Sequence, residues 1–138
     1  MSKLFHSAAT LRFSGDALDP TEITRLLGAQ PTVAVKLGGV WLTSSGAERI
    51  ARTGSWRLKV EDRSPGDLNG QIVELFASLS PDLAVWKALS RRFNADLFCG
   101  LFLRESNEGI DITPDTLAAV GLRGLRLDMD IYGADPDE

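Results

Sequence analysis

Apolar and polar residues alternate in three parts of the chain, and each part is predicted to be a β-strand. Leu11 and Phe13 alternate with polar neighbours near the start, and Trp56, Leu58 and Val60 do so in the middle. Alternation with a period of two is typical of a strand with one face buried and the other in water. In the third part, residues 125–132, the inward positions are Leu125, Leu127, Met129 and Ile131, and the outward positions are Arg126, Asp128, Asp130 and Tyr132.

Four segments between these strands carry the signals of α-helices. Each begins with residues that favour a helix N-terminus: Asp19-Pro20, Asp67, Asp82 and Thr113-Pro114. Gly28 ends the first segment, and the second and third place apolar residues at the spacing of a single helix face. Short helices are therefore predicted between the strands.

The remaining segments complete a prediction of the fold class. Residues 95–104, ADLFCGLFLR, are apolar at consecutive positions, which predicts a central strand. Residues 29–55 are broken by Gly, Pro and Ser, so only short strands near 33–37 and 40–43 are expected there. Residues 110–112 are predicted to be another short strand. We predict an α+β fold with a mostly antiparallel sheet of about five strands and helices packed on one face.

Two segments, LDPTEITRLLG and ITPDTLAAVG, share an apolar residue, a proline cap and a short helix that ends at glycine. If this similarity is a duplication, it predicts a pseudo-symmetric βαβ plan like that of ferredoxin-like folds.

The composition indicates one globular domain. The chain has 138 residues, of which 43% are apolar and 25% charged, and this is ordinary for a domain with a single core. We assign residues 1–133 to the domain and 134–138 to a flexible acidic tail. No stretch has the length of a signal peptide's apolar run or of a membrane span, so we predict a cytoplasmic protein without membrane association.

The charge argues against nucleic-acid binding. Removing the three acids of the tail from the formal charge of −4 leaves −1 for the rest of the chain. Nucleic-acid binding usually needs a basic stripe, and the densest basic spot is Arg91 with Arg92. We therefore expect no nucleic-acid partner.

Few residues offer reaction chemistry. Cys99 is the single cysteine and His6 the single histidine, so an intramolecular disulfide and a zinc site built from Cys and His pairs are excluded. Cys99 lies in an apolar strand and is expected to be buried and inert, and no motif places a nucleophile beside His6. Acids at the predicted helix starts and the lack of a P-loop or GxGxxG motif disfavour nucleotide enzymes. We expect no cofactor.

Four stretches in order along the chain resemble a known family: SGDALDPTEITRLLGAQPT, RTGSW, LFCGLF and NEGIDITPDTLAAVGLRGLRLDMDIYG. Together they are similar to the bacterial family known as domain of unknown function 4279, from about Leu11 to Tyr132. The resemblance implies no activity, cofactor or catalytic residue, so it transfers no functional site.

The outward face of the predicted sheet is the candidate site. Asp128 and Asp130 are alternate residues of one strand, about 6.6–6.8 Å apart along it, and mixed charges around them favour a solvated surface with weak ion pairs. Trp41, in a Gly- and Ser-rich segment, either caps the core or stands exposed as a binding anchor. The candidate residues are Trp41, Arg12, Arg57, Lys59, Arg126, Asp128, Asp130 and Tyr132.

Three functions are compatible with these residues. The leading hypothesis is a non-catalytic binding or regulatory domain, for example an immunity-type protein, that recognises a protein partner or small ligand through the polar sheet face. The second is a metal-assisted hydrolase that uses Asp128 and Asp130, which carry no further visible oxygen ligands. The third is a structural homodimer formed through an edge strand or the sheet face.

Overall fold

A five-stranded sheet organises the computed structural model of the chain, which describes residues 2–135. The elements in chain order are β1 (Ser2–Lys3), β2 (His6–Gly15), α1 (Pro20–Leu27), β3 (Val33–Val35), β4 (Val40–Leu42), β5 (Glu48–Ile50), β6 (Gly54–Lys59), α2 (Leu68–Ala77), α3 (Leu83–Arg92), β7 (Asn94–Phe102), β8 (Glu108–Gly109), α4 (Pro114–Leu122) and β9 (Arg126–Tyr132). The last three residues of the predicted acidic tail lie outside the described residues.

The strand order of the main sheet is β3-β6-β2-β7-β9. Neighbouring strands are antiparallel except for β7 and β9, which run parallel and are joined through α4. Two small pairs stand apart from this sheet: the hairpin β4–β5 and the parallel pair β1–β8. The predicted α+β fold with a mostly antiparallel sheet is confirmed.

The helices cover one face of the sheet and enclose the core with it. In β2, Leu11 and Phe13 are at most 1% exposed, and they face Leu58 and Trp56 across the antiparallel pair with β6. Trp56 and Trp86 are fully buried, and the ring centroid of Phe13 lies 6.0 Å and 6.3 Å from theirs. Burying each such side chain stabilises the fold by roughly 1.5–3 kcal/mol.

The predicted caps form as expected. The Asp19 side chain accepts a hydrogen bond from the Thr21 N–H at 3.1 Å, and Gly28 ends α1 in the left-handed conformation, with φ 80°. Asp67 and Asp82 cap α2 and α3 in the same way. Side-chain oxygens at these positions satisfy N–H groups that lack a partner within the helix, so the helix starts are set locally.

The strand β9 differs from its prediction on its inward face. Leu125 and Leu127 contact the core, but Met129 and Ile131 are 42% and 65% exposed. The alternation of the strand correctly predicts its pleat. Met129 and Ile131 pair with Cys99 and Leu101 of β7, so they lie on the helix side of the sheet, as predicted. Because β9 lies at the edge of the sheet, its second half is not covered by helices, and these two side chains are not buried.

The predicted strand at residues 110–112 is displaced to β8, which pairs with β1 near the N-terminus. Hydrogen bonds to Glu108 hold β8 near the N-terminus. Its carboxylate accepts hydrogen bonds from the backbone N–H groups of Phe5 and Arg104, each at 2.6 Å, and from that of Glu105. Contacts distant in sequence therefore decide where this short strand lies.

The helices of the proposed internal repeat each join two strands that run in the same direction. The strand β3, which follows α1, is antiparallel to β6, and β6 is antiparallel to β2, so β2 and β3 run parallel with β6 between them. The strands β7 and β9, on either side of α4, are also parallel, but they are direct neighbours. The predicted βαβ arrangement is therefore present in both units, and only the first has a strand inserted between its parallel pair.

Candidate functional site

A row of charged residues crosses the sheet on the face opposite the helices. The strand registers place Arg57, Arg12, Asp96 and Arg126 side by side, from β6 through β2 and β7 to β9. We call these four residues the arginine row. Arg12 and Arg57 are direct cross-strand partners, an arrangement of like charges that is destabilising unless anions lie beside it.

Asp96 is the anion at the centre of this row. Its carboxylate accepts hydrogen bonds from Nε and Nη2 of Arg12 at 2.8 and 2.6 Å, and the guanidinium lies 4.3 Å above the ring of Phe98. Arg126 lies farther away, with its Nη2 3.8 Å from the same carboxylate. The hydrogen bond to Asp96 is the largest influence that raises the pKa of Arg12, and partial burial opposes it. Arg12 therefore stays charged and fixed in place.

The two carboxylates of β9 take different partners. Asp128 lies 3.5 Å from Nη2 of Arg12, and Asp130 accepts a hydrogen bond from the Tyr132 hydroxyl at 3.3 Å. The ring of Tyr132 stacks on that of Phe102 with centroids 4.6 Å apart. Within residues 2–135, no three or more His, Cys, Asp or Glu side chains group in a way that could hold a metal ion. Asp128 and Asp130 thus lie among ion-pair and hydroxyl partners.

The hairpin β4–β5 forms a cleft with one end of this face. Hydrogen bonds of 2.8 Å, from Gly38 N–H to the Ala51 carbonyl and from Ala51 N–H to the Gly39 carbonyl, close the base of the hairpin. Trp41 of β4 is 41% exposed and lines a cleft of about 410 Å³ with open-face residues of β3 and β6. We call this space the hairpin cleft. Its lining residues include Val33, Val35, Trp41, Arg52, Ser55 and Arg57.

A second hollow of about 400 Å³ adjoins the hairpin cleft and contains the arginine row. Thr53, Ser55 and Arg57 line both spaces, so the two are neighbours on the open face. We call the two spaces together the groove, with Trp41 at one end and Arg126 at the other. One end of the groove is apolar and aromatic, and the other is rich in guanidinium groups. Cavities of this size, with a few polar groups among apolar ones, are typical of small-molecule sites.

The structure brings most of the predicted site residues together. Trp41, Arg57, Arg12 and Arg126 line the groove, and Asp128 joins it through Arg12. The remaining candidates lie outside: Asp130 and Tyr132 at the far end of β9, and Lys59, whose Nζ lies 3.2 Å from Asp62.

Asp96 is the main site residue that sequence reasoning missed. It lies in a segment where apolar residues occupy both faces, and that pattern predicts a central strand. The strand β7 does lie inside the sheet, between β2 and β9, and its Phe98 and Phe102 lie on the open face under Arg12 and Tyr132. One acid within an apolar run is the signal that could have indicated a buried charge pair.

His6 also has partners that no sequence motif indicated. Its Nδ1 contacts the Ser64 hydroxyl, and its Nε2 lies 3.1 Å from the Asp62 carboxylate. Acyl transfer by such a group needs N–H donors for the oxyanion. Pro65 has no N–H, and the N–H groups of Gly66 and Asp67 bond to the Leu4 carbonyl and the Ser7 hydroxyl. These contacts therefore attach the loop after β6 to β2.

A larger hollow of about 650 Å³ lies beside this loop, near β8. Arg63 lines it, but two acids hold this guanidinium: Asp67 at 2.6 Å and Glu74 at 3.6 Å. The charge of Arg63 is thus neutralised within the chain.

Cys99 lies in β7 on the core side and is fully buried. Burial, with smaller contributions from Asp96 and Asp128, raises the pKa of the thiol to about 12. A protonated, inaccessible thiol is a poor nucleophile, so the expected burial is confirmed and Cys99 belongs to the core.

The fold and groove define a class of protein: an α+β domain with an open charged sheet face and a hairpin-walled cleft. The chain belongs to the family described as Domain of unknown function (DUF4279), whose family model matches residues 3–134. The family resemblance seen in the sequence is thus confirmed over nearly the whole chain. Neither a curated protein nor a solved structure matches it. None of the helices within the described residues has the length and hydrophobicity needed to cross a membrane.

Proposed function

We propose that this protein is a non-catalytic binding domain that recognises a protein partner or small ligand through the open sheet face. The observation that supports this function best is the position of the β4–β5 hairpin, which makes Trp41 and Arg57 line one cleft although 15 residues separate them along the chain. Tryptophan and arginine are the residue types that most often dominate binding energy. The adjoining hollow extends the recognition surface along the arginine row.

Affinity capture with matched variants tests this function. The tagged wild type, the double variant Trp41→Ala/Arg57→Gln and the control Arg91→Gln are incubated with extract of the source cells. Retained proteins and small molecules are then identified by mass spectrometry. Arg91 is an exposed residue of α3 on the helix side, so its variant makes the same chemical change away from the groove.

The wild type and the control should retain the same species, and the double variant should lose it. Truncation of an anchoring tryptophan typically weakens binding by about 2 kcal/mol, or roughly 30-fold. Circular dichroism and thermal melting establish that all three proteins fold. Retention of the same species by a folded double variant would contradict the proposal.

A further inference from the structure

We propose that the groove binds a small amphipathic anion, a molecule with a flat apolar body and one carboxylate or phosphate group. This inference rests on the proposed binding function and adds the chemistry of the ligand. The apolar body is assigned to the hairpin cleft and the anionic group to Arg57, where the cleft meets the arginine row.

The charge of the lining favours an anion. Among the described residues, the linings of the two spaces contain one acid, Asp96, and the arginines Arg12, Arg52, Arg57 and Arg126. Asp96 is bound to Arg12 by two hydrogen bonds, so its charge is already engaged. Arg57 is exposed and has no ion-pair partner within the part of the chain that the structure describes. An arginine in this position binds carboxylate or phosphate oxygens with two parallel hydrogen bonds.

The strand register places no acid directly beside Arg57. Arg12 is its direct cross-strand partner, and Val33 lies opposite it on the other side. Asp96 and Asp128 both lie beyond Arg12, away from Arg57. The acids of the chain therefore balance the charge of Arg12 but not that of Arg57. An anion bound beside Arg57 would reduce the repulsion between these two guanidinium groups.

The other end of the groove favours a flat apolar group. Val33, Val35 and Trp41 line the hairpin cleft, and no acid is among its described lining residues. A ring between Trp41 and the valines would be sheltered from water, while Ser55 and Thr53 lie towards the charged end shared with the second hollow. Because the space is a cleft of about 410 Å³ between a hairpin and a sheet, we assign it to a small molecule and not to a broad protein surface.

Tryptophan fluorescence with defined probes tests this proposal. The chain has three tryptophans, and Trp56 and Trp86 are fully buried, so Trp41 is the one that reports on the groove. The probes are phenyl phosphate, phenylacetate, benzylamine, inorganic phosphate and the peptide acetyl-Glu-Phe-Glu-amide. Phenyl phosphate or phenylacetate should change the emission saturably, with benzylamine and inorganic phosphate binding at least about tenfold more weakly.

Variants separate the contributions of charge and ring. Arg57→Gln should weaken binding of the aromatic anion about tenfold or more, and Arg91→Gln should leave it unchanged. Trp41→Phe should abolish the fluorescence change but keep the affinity measured by calorimetry within about threefold, because a ring is retained.

Several results would overturn the assignment. Binding of benzylamine as tight as that of phenyl phosphate would remove the anionic requirement, and tighter binding of the acidic peptide would assign the groove to a protein segment. Both would leave the proposed binding function in place. Failure of both aromatic anions to bind, or equal affinity for them in folded Arg57→Gln, would also reject the small-anion proposal. The capture experiment tests the binding function separately.

Discussion

Replacing Asp96 by asparagine tests whether the central ion pair holds the open face in its observed arrangement. The Asp96 side chain is 10% exposed and accepts two hydrogen bonds from Arg12, whose side chain is 28% exposed. Asparagine keeps the shape of the side chain but removes its charge. Its NH₂ group would replace one of the two oxygens and would then face an N–H group of Arg12, which cannot accept a hydrogen bond. Arg12 would then lie beside Arg57 and Arg126 without its nearest anion.

The structure bounds the size of this effect. A hydrogen bond to a charged group contributes about 1.5–3 kcal/mol, and loss of one partner from a fully buried ion pair costs about 3–5 kcal/mol. Arg12 is partly exposed, and Asp128 remains 3.5 Å from it, so both water and a second carboxylate reduce the cost. We expect Asp96→Asn to lower the free energy of unfolding by about 2 kcal/mol.

Urea unfolding, followed by tryptophan fluorescence and circular dichroism, measures this change. With a denaturant dependence of about 2 kcal/mol per molar, the midpoint should fall by about 1 M. The double variant Arg12→Gln/Asp96→Asn removes the uncompensated guanidinium, so it should recover part of the loss and give a coupling energy of at least about 1 kcal/mol. A single variant within about 0.5 kcal/mol of the wild type, or a coupling energy near zero, would refute the reasoning.

Three further predictions concern other parts of the fold. Loss of hydration raises the pKa of Glu108, but three backbone N–H groups outweigh it and leave the pKa below its ordinary value. Because this carboxyl has a lower pKa in the folded state, its stabilisation is complete above about pH 5 and is lost as the pH falls through the lowered pKa. Glu108→Gln should therefore be less stable than the wild type in urea titrations at pH 7, and the two should converge in acid; a constant difference would contradict this assignment. Cys99 should react with a thiol reagent such as Ellman's reagent only as fast as the protein unfolds, and rapid modification of the folded chain would show that β7 is misplaced. Gly54→Ala should destabilise the fold by about 2 kcal/mol, because the added Cβ would lie 2.8 Å from the Gly15 carbonyl. In contrast, Gly121→Ala in α4 meets nothing within 4 Å and should stabilise it by about 0.5–1 kcal/mol in thermal or urea melts; equal effects of the two changes would refute this difference.

The fold class and the helix boundaries were predictable because their causes are local. The N-cap of α1 is set by Asp19 and Thr21, two residues apart, and its end by the positive φ of Gly28. The alternation around Leu11 and Phe13 shows which side of β2 is apolar before any neighbour is known. Such signals act within one or two turns of the chain, so the sequence displays them directly.

For the candidate site, the sequence predicts which residues lie on the open face better than it predicts which of them are neighbours. The outward strand positions Arg12, Arg57 and Arg126 do line the groove, whereas Lys59 pairs with Asp62 outside it. Asp96 was missed because its value as a counter-ion depends on the strand that lies next to β7.

The sequence alone determined the class of fold, the caps and the polar character of one sheet face. Only the tertiary structure decided which residues meet on that face, because strand order and register bring together residues as far apart in the chain as Arg12 and Arg126. It also decided that β9 lies at an edge, which exposes Ile131, and that the hairpin holds Trp41 beside Arg57. Periodicity gives the face on which a side chain lies, but its neighbours on that face depend on the free energy of the whole packed sheet.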